Sequence, residues 1–312
     1  MSKESSAATR KAYVITGPTS GIGYRTALEL AKHGTVVLVG RDPGKLAEVQ
    51  KTIEQRGQHA VSVVCDLSEP GSVRRAAAEI VALQLPIVGL LNNAGIMQTR
   101  ATKNALGWDL SFATNHLGPF ALTEALVPHL PDGANVLFVA SAVEDPERKP
   151  AVAAGFRGAR YVSAEASARG EWKPGGSKVP GMDAYATSKQ CTLATAMAFA
   201  RETPRLRFNA VEPGFTPTTS LGLRDASAFV RFLSKYIIPL LVPLLMPFVK
   251  ILSTPKRAGR VITGILIEAS GRTGVYYDEG GQPMLGSAQV HDPAFQDRVV
   301  AETRALLATV PA

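Results

Sequence analysis

A glycine-rich turn near the start of the chain limits the folds that this sequence can adopt. An apolar run at residues 12–16 leads into Thr-Gly-Pro-Thr-Ser-Gly-Ile-Gly at residues 16–23, and a helical pattern follows. Gly17, Gly21 and Gly23 permit a tight turn against a pyrophosphate, and the helix behind them offers unpaired N–H groups and a positive dipole end. A strand, this turn and a helix in succession predict a dinucleotide-binding unit. A Walker A loop would need a Gly-Lys-Ser/Thr sequence, which does not follow here.

Strand and helix patterns then alternate along the chain. Apolar runs of strand length are separated by amphipathic helical stretches, and they lie at residues 35–40, 60–65, 88–91, 134–140 and 206–211. Continuous apolar strands that alternate with helices are typical of a parallel sheet covered on both faces. We therefore predict an α/β fold, a single doubly wound Rossmann-type domain in which helices flank both faces of a central parallel sheet of about seven strands.

The chain shows no internal repeat and no convincing domain break, so we predict one domain over residues 12–312. Residues 1–11 are polar and rich in Ser and Ala, which predicts a flexible N-terminal tail and not a signal peptide. Residues 142–183 lose the periodicity and are rich in Gly, Pro, Ala and charge, which predicts an insertion beside the site. Residues 219–254 are predicted to form an apolar lid over a substrate.

The most apolar part of this lid, residues 229–252, has more than one interpretation. Its uncharged run between Lys235 and Lys250 is shorter than the roughly 20 residues that span a bilayer, and three prolines interrupt its hydrogen bonding. A lid over a lipophilic substrate is our main interpretation. A segment that lies on a membrane surface and a buried packing segment are the alternatives.

Charge and cysteine content exclude several classes of function. The 34 Lys and Arg residues exceed the 26 Asp and Glu residues, but no basic run, zinc finger or RNA-binding signature is present, so we expect no nucleic-acid partner. A basic surface that attracts an anionic cofactor accounts for part of the surplus. Cys65 and Cys191 have no CxxC partner, which predicts a reducing, cytoplasmic location. The five histidines lack metal-ligand spacing, so we expect no metal.

The ends of the second and third predicted strands indicate which dinucleotide binds. Arg41 directly follows residues 35–40, where a guanidinium can pair with the 2′-phosphate of NADP. An acidic residue near this point would favour NAD, and Asp42 comes next. We therefore favour NADP(H), with NAD(H) or a solvent-facing Arg–Asp turn as alternatives. Asp66 and Leu67 follow the third strand, where an adenine edge would lie.

Further polar groups follow the fourth and fifth predicted strands. Residues 92–95 read Asn-Asn-Ala-Gly, and two amides with two small residues suit a strand end pressed against a flat ligand. Ser141 follows residues 134–140 and so belongs to the crevice where open α/β sheets bind ligands.

A tyrosine and a lysine lie four positions apart on a predicted helix. This spacing puts the phenol of Tyr185 and the ammonium of Lys189 on one helix face. A phenol titrates near pH 10, and a neighbouring cation favours the phenolate, which brings the hydroxyl closer to use as an acid or base at neutral pH. A solvated Tyr–Lys pair without a role is the alternative.

The ordered set of motifs resembles the short-chain dehydrogenase/reductase family. The set comprises TGxxxGxG at residues 16–23, Asn-Asn-Ala-Gly at 92–95, Asn115, Ser141, Tyr-x-x-x-Lys at 185–189 and Pro-Gly at 213–214. The resemblance covers roughly residues 12–280. Residues 114–120 and 254–259 are further similar to the retinol-dehydrogenase and protochlorophyllide-reductase-like branch.

The resemblance implies an oxidoreductase that interconverts a carbonyl and an alcohol, here on a lipophilic small molecule. In such an enzyme Tyr185 is the general acid/base, and Lys189 lowers its pKa and binds the nicotinamide ribose. Ser141 polarises the substrate oxygen, and Asn115 supports a water-linked proton path through Lys189. A protein that binds NADP on this fold without catalysis is the alternative.

The resemblance also implies a cofactor-binding set. Asp66 and Asn92 would flank the adenosine, and Pro213, Gly214 and Thr218 would orient the nicotinamide carboxamide. The full predicted set is Gly17, Thr19, Ser20, Gly21, Ile22, Gly23, Arg41, Asp66, Leu67, Asn92, Asn93, Ala94, Gly95, Tyr185, Lys189, Pro213, Gly214, Thr216 and Thr218.

The chain departs from the family pattern in ways that affect its substrate and assembly. Ser141 and Tyr185 are much farther apart in sequence than in most members, so the substrate does not transfer by analogy. Thr216 replaces a common Val or Ile, although its backbone could still bind the carboxamide. Members often form dimers or tetramers through the helices that carry Asn115 and Tyr185. A homodimer or homotetramer is therefore implied, with a monomer left open because the insertion and the lid could block that contact.

Overall fold

Eight strands form one sheet in the order β3-β2-β1-β4-β5-β6-β7-β8. The structure is a computed structural model, and it describes residues 11–216 and 252–311. Neighbouring strands are parallel except β8, which runs antiparallel to β7. The strands are β1 (Ala12–Thr16), β2 (Thr35–Gly40), β3 (Ala60–Val64), β4 (Ile87–Asn92), β5 (Asn135–Val139), β6 (Arg207–Val211), β7 (Tyr276–Tyr277) and β8 (Pro283–Met284).

Helices cover both faces of the sheet, so the predicted doubly wound α/β fold is confirmed. They are α1 (Gly21–Leu30), α2 (Pro43–Glu54), α3 (Pro70–Ala82), α4 (Leu110–Phe112), α5 (Gly118–Leu126), α6 (Lys149–Ala153), α7 (Ala164–Arg169), α8 (Pro180–Glu202), α9 (Pro255–Ile267) and α10 (Pro293–Ala308). One apolar core lies between the sheet and α3, α5, α8 and α10, and the other between the sheet and α1, α2 and α9. The eighth strand exceeds the predicted number because β8 is a two-residue strand without an apolar run.

The order of the strands in the sheet shows where a ligand crevice lies. The chain builds outward from β1 to β2 and β3, then returns to β4 on the other side of β1. In open α/β sheets the crevice opens where the order reverses, at the carboxyl ends of the strands. The glycine-rich turn follows β1, and residues 92–95 follow β4, so both reach this edge.

The helical segment that carries Asn115 is not a regular α-helix throughout. The chain passes through α4, a π-helix at Ala113–Leu117 and α5. Gly118 is the first residue of α5. A Cβ at this position would lie 2.0 Å from the carbonyl oxygen of Leu67, so a larger residue would not fit. The glycine that costs helix stability is therefore required for close packing against the loop after β3.

The predicted insertion at residues 142–183 contains short helices and the start of α8. It includes a 3-10 turn at Ala142–Glu144 and the helices α6 and α7, and α8 already begins at Pro180. Most residues of α8 are buried, and α10 packs along it. The 3-10 turn of the insertion also packs against α8, so the insertion is not an open loop.

Two predicted segments fall mainly outside the described residues. The N-terminal tail at residues 1–11 is described only at Lys11, and the lid at residues 219–254 only from Leu252 onward. Leu252 pairs with Phe215 in an isolated parallel bridge. Across residues 11–216 and 252–311, no helix combines the length and apolar character needed to cross a membrane.

Candidate active site

The glycine-rich turn lies where the chain passes from β1 into α1. Gly17 has a φ of +68°, a left-handed conformation that favours glycine. A Cβ on Gly23 would lie 2.2 Å from the carbonyl oxygen of Gly17, so a side chain there would force the turn apart. Asn93 Nδ2 donates to the carbonyl oxygen of Thr16 at 2.8 Å, and Thr16 Oγ1 accepts from the main-chain N–H groups of Asn93 and Ala94 at 3.0 Å each. The end of β4 therefore fixes the shape of the turn.

The N-terminus of α1 is open to an anion. Ser20 is its N-cap residue, and the Ser20 side chain makes no capping hydrogen bond. No acidic side chain lies in the first turn of α1. Thr19, Gly21 and Ile22 are half-buried at this end. Together with a turn that only glycine can form, this helix end fits the pyrophosphate of a dinucleotide.

Arg41 and Asp66 lie together at the carboxyl ends of β2 and β3. Arg41 Nη1 is 3.9 Å from Asp66 Oδ2, and both side chains are partly exposed. Asp66 Oδ1 also accepts from the main-chain N–H and the hydroxyl of Ser68, at 2.9 and 2.7 Å. Asp42, in contrast, caps α2, where its Oδ1 accepts from the main-chain N–H of Lys45 at 3.1 Å. The acidic residue next to Arg41 is thus engaged in a helix cap.

Asn92 and Leu67 of the predicted cofactor set have buried side chains that pack towards α5. Asn92 Nδ2 donates to Thr123 Oγ1 of α5 at 2.9 Å. Leu67 packs in the apolar core, and its carbonyl oxygen lies against Gly118. Both side chains hold strand ends against α5. A contact from either residue to a cofactor would therefore come from its main chain.

Tyr185, Lys189 and Ser141 meet at the carboxyl end of β5. Lys189 Nζ lies 5.6 Å from the centroid of the Tyr185 ring on α8. The same Nζ donates to the carbonyl oxygen of Val139, the last residue of β5, at 2.7 Å. Ser141 lies just beyond β5, and its side chain is near enough to Tyr185 to lower the pKa of the phenol. Gly95 lies opposite, since a Cβ there would be 3.5 Å from Lys189 Nζ.

Asn115 lies in the π-helix and ties it to its neighbours. Its Oδ1 accepts from the main-chain N–H of Ile96 and its Nδ2 donates to the Ile96 carbonyl oxygen, both at 2.8 Å. Nδ2 also donates to Ser188 Oγ at 3.1 Å, and the Asn115 carbonyl oxygen accepts from Thr192 Oγ1 at 3.2 Å. Ser188 and Thr192 belong to α8, so Asn115 fixes the catalytic helix relative to the end of β4. Single π turns of this kind are frequent at functional sites.

Burial dominates the titration of this cluster. It raises the pKa of Tyr185 above 10.0, and the Glu212 carboxylate adds to the rise while the Ser141 side chain opposes it. Burial lowers the pKa of Lys189 from 10.5 to about 8, and Glu212 acts in the opposite direction. The Lys189 ammonium must therefore offset burial if Tyr185 is to exchange a proton near neutral pH. Its role in lowering the pKa of Tyr185 stays a prediction.

Comparisons with known proteins show the family of this chain. The family model described as short chain dehydrogenase matches residues 11–153. The chain belongs to the short-chain dehydrogenase family. Retinol dehydrogenase 13 of Homo sapiens is 37% identical over 123 residues, 38% of this chain and 37% of that protein. Dehydrogenase/reductase SDR family member 12 of Bos taurus is 30% identical over 216 residues, 68% of this chain and 63% of that protein.

These alignments confirm the predicted family, and the retinol dehydrogenase agrees with the predicted branch. The chain spans less than two thirds of the length of either relative. An uncharacterised protein from Mycobacterium paratuberculosis shares the fold with a TM-score of 0.68 and 24% identity, over 95% of this chain and 93% of that chain. A short-chain dehydrogenase from Shigella flexneri 2a, solved in complex with NADP, gives a TM-score of 0.60 and 26% identity, over 86% and 96% of the two chains.

The Pro-Gly loop of the family lies beside the catalytic cluster. Pro213 and Gly214 follow β6, and the main-chain N–H of Gly214 donates to Glu212 Oε1 at 3.1 Å. Thr216 is buried at the end of the first described range. Thr218, which the resemblance assigns to the carboxamide, lies outside the described residues.

Three residues near the cluster were missed by sequence reasoning: Glu212, Glu144 and Phe156. Glu212 binds the Pro-Gly loop, and Glu144, which is fully buried, accepts from the main-chain N–H and Oγ of Ser287 at 2.7 and 2.6 Å. The Phe156 ring centroid lies 6.4 Å from that of Tyr185. An acidic residue directly before Pro-Gly, at the end of a buried strand, was the signal that could have found Glu212. The other two come from the aperiodic insertion, where no pattern predicts a contact.

Metal ligands are not gathered anywhere in the described ranges. Among residues 11–216 and 252–311, no group of three or more His, Cys, Asp or Glu side chains could hold a metal ion. Cys65 and Cys191 are buried free thiols. The polar groups at the site are therefore main-chain amides, hydroxyls, a carboxamide, an ammonium and carboxylates.

Proposed function

We propose that this chain is an NADP(H)-dependent oxidoreductase that interconverts a carbonyl and an alcohol on a lipophilic small molecule. The observation that carries the proposal is the meeting of Ser141, Tyr185 and Lys189 at the carboxyl end of β5. The glycine-rich turn lies at the same edge of the sheet, after β1. A dinucleotide anchored at that turn would extend along the crevice towards this cluster.

The chain's own residues would move the proton of this reaction. The bound cofactor supplies or accepts the hydride. In reduction Tyr185 donates its phenolic proton to the substrate oxygen, and in oxidation it accepts that proton. Ser141, whose side chain lies near Tyr185, holds the same oxygen. Lys189, held by the Val139 carbonyl, stabilises the phenolate that remains.

NADP is the cofactor that the site favours. The Arg41 guanidinium is partly exposed at the end of β2, where it could pair with a 2′-phosphate. Asp42, the residue that left NAD open, is engaged as the cap of α2. The related structure from Shigella flexneri was solved with NADP, which agrees with this preference.

An apolar wall beside Tyr185 supports a lipophilic substrate. Phe156 and Ala151 of the insertion pack with Tyr185 in one apolar cluster. The partly buried side chains of Met97 and Met182 pack against this cluster. Similarity to a retinol dehydrogenase points to the same class of substrate. We expect Phe156→Ala to lower kcat/KM for a bulky apolar carbonyl far more than for a small one, and equal losses for both would contradict this part of the proposal.

We propose a cytoplasmic location and a substrate lid formed by residues 229–252, with contact to a membrane surface as the alternative role of this segment. Cys65 and Cys191 are unpaired thiols, as a reducing compartment requires. The apolar segment lies almost wholly outside the described residues, so only its composition supports either role. Flotation with liposomes, with and without the segment, separates a membrane-surface role from a substrate lid.

The family resemblance implies pairing of two chains through α8. We propose instead that this chain does not pair through α8. Most residues of α8 are already buried within one chain, and α10 packs along it. Arg304 of α10 also bridges Glu124 and Glu202, at 2.6 and 2.7 Å. A second copy at this face would have to displace α10. Sedimentation equilibrium of the purified protein measures the state directly.

Tyr185→Phe tests the proposed function. General acid/base catalysis contributes roughly 10²–10⁴-fold, so reduction of lipophilic carbonyls should fall by about that factor while NADPH binding stays intact. Tyr13→Phe is the matched control, because Tyr13 is a buried tyrosine of β1 in the opposite core. Full turnover by folded Tyr185→Phe would refute the mechanism. NADPH binding without turnover in the parent protein would favour a non-catalytic NADP-binding protein.

A further inference from the structure

Glu212 is an acidic side chain that lies among the reacting groups without being one of them. It comes directly after β6, and its main-chain N–H donates to the carbonyl oxygen of Tyr277 at 2.8 Å. Its Oε2 accepts from the main-chain N–H of Ala142, and its Oε1 accepts from that of Gly214 at 3.1 Å. The Ser141 side chain is also near enough to lower the pKa of Glu212. One carboxylate therefore binds two loops, one around Ser141 and the other around Gly214.

These contacts join two parts of the site that are distant in sequence. Ala142 begins the turn that positions Ser141, and Gly214 belongs to the Pro-Gly loop that would face the nicotinamide. A carboxylate accepts at both oxygens, whereas an amide side chain accepts at one and an apolar side chain at neither. The geometry of Ser141 relative to the Pro-Gly loop thus depends on the carboxylate.

The charge of Glu212 also acts on the catalytic pair. Tyr185 and Lys189 face it from α8, Tyr276 faces it from β7, and Arg148 faces it from the loop before α6. Burial raises the pKa of Glu212, while its hydrogen bonds and Arg148 oppose that rise. Its negative charge raises the pKa values of both Tyr185 and Lys189. Glu212 therefore favours the phenol, and the Lys189 ammonium favours the phenolate.

We propose that Glu212 is a positioning residue for the carbonyl–alcohol reaction, which joins the Ser141 turn to the Pro-Gly loop. The inference rests on the proposed function, because that function assigns the proton transfer to Tyr185. A role in folding alone would lower activity equally at every pH. A role through Tyr185 also moves the pH at which activity is lost.

The test compares pH profiles of carbonyl reduction for the parent protein, Glu212→Gln and Glu144→Gln. Reduction needs a protonated Tyr185, so the rate falls as Tyr185 ionises at high pH. Loss of the Glu212 charge should lower the pKa of Tyr185 and move this alkaline limb down by about one pH unit. Glu144→Gln is the matched control, since it removes a buried carboxylate that binds Ser287 and does not act on Tyr185. A limb that stays in place in Glu212→Gln overturns the proposal.

Glu212→Asp keeps the charge and shortens the reach, which separates charge from position. It should lower kcat and leave the alkaline limb where the parent protein has it, because the carboxylate is retained. If Glu212→Gln does not fold, this variant still decides, since a limb displaced downward in folded Glu212→Asp contradicts an effect of charge.

A second readout needs no turnover and so separates this inference from the proposed function. NMR of protein labelled at the tyrosine phenol carbon follows the ionisation of Tyr185, assigned by its loss in Tyr185→Phe. Ionisation should begin at lower pH in Glu212→Gln than in the parent protein. The same onset in both, or ionisation in neither across the folded range, overturns the role of Glu212. Inactivity of the parent protein with an earlier onset in Glu212→Gln would reject the proposed function and keep the effect of Glu212 on Tyr185.

Discussion

A buried histidine beside Asn115 should make the protein sensitive to mild acid. His116 follows Asn115 in the π-helix and is 2% exposed. Its ring packs against Phe112 and Phe120, with centroids 5.1 and 5.9 Å away. Its Nε2 lies 2.9 Å from Thr303 Oγ1 of α10. Burial lowers the pKa of His116 from 6.5 to about 3.

The size and sign of the effect follow from proton linkage. Between pH 6.5 and about 3 the unfolded chain binds a proton at His116 that the native protein does not bind. The free energy of unfolding therefore falls as the pH falls, by about 1.4 kcal/mol per pH unit. From pH 7 to pH 5 the loss attributable to His116 is about 2 kcal/mol, because only the last 1.5 units lie below the unfolded pKa.

The assay is urea unfolding of the parent protein and of His116→Gln at pH 7 and pH 5. Thr303 Oγ1 donates to the carbonyl oxygen of Val299 at 2.7 Å, so it accepts from Nε2, and a glutamine amide can donate in its place. Other titrating groups contribute to both proteins and cancel in the difference. The stability advantage of the parent protein over the variant should shrink by about 2 kcal/mol at pH 5.

An advantage that stays constant between the two pH values would refute the reasoning. The protein would then bind a proton at His116 as readily when folded as when unfolded. NMR titration of the parent protein gives the same answer without a variant, because the His116 signal should not move between pH 7 and pH 5. A signal that titrates near its ordinary 6.5 would equally contradict burial of the neutral ring.

Two further predictions follow from the cofactor site and from close packing. Arg41→Ala should weaken NADPH binding by about tenfold or more and leave NADH binding unchanged, as measured by fluorescence titration at fixed salt. Equal losses of affinity for both cofactors would refute a contact between Arg41 and the 2′-phosphate. Gly118→Ala should destabilise the protein by about 1–3 kcal/mol in urea unfolding, because the new Cβ would lie 2.0 Å from the Leu67 carbonyl oxygen. Gly264→Ala in α9 is the control, because nothing lies within 4 Å of a Cβ at that position. It should stabilise the protein by up to about 1 kcal/mol. If Gly118→Ala were as stable as the parent protein, α5 and the loop after β3 would have to move apart freely.

The strands of the sheet were predictable because burial on both faces makes them apolar throughout. The runs at residues 12–16 and 35–40, for example, coincide with β1 and β2. When both faces of a parallel strand are covered, its residues are mostly apolar, so the apolar run shows where the strand begins and ends. The last strand, β8, has two residues and no such run, so it becomes a strand only by pairing with β7.

The π-helix and the contacts of the insertion could not be predicted in the same way. Periodicity of a helix predicts a continuous pattern, and it does not distinguish a π turn at Ala113–Leu117 from a regular one. Phe156 meets Tyr185 only through the folding of residues 142–183, which carry no periodic pattern. Asn92 shows the same limit, since its identity at a strand end suggested a ligand, and the fold directs its side chain to Thr123.

The sequence by itself determined the layered fold, the family and the residues of the motifs, because apolar runs, glycine turns and fixed spacings along a helix are local properties of the chain. The four-residue spacing alone placed Tyr185 and Lys189 on one helix face. Only the tertiary structure decided which charges surround them. Glu212 acts on Tyr185 because β6 lies beside β5 in the sheet, and Coulomb interaction depends on distance in space and not on separation in sequence.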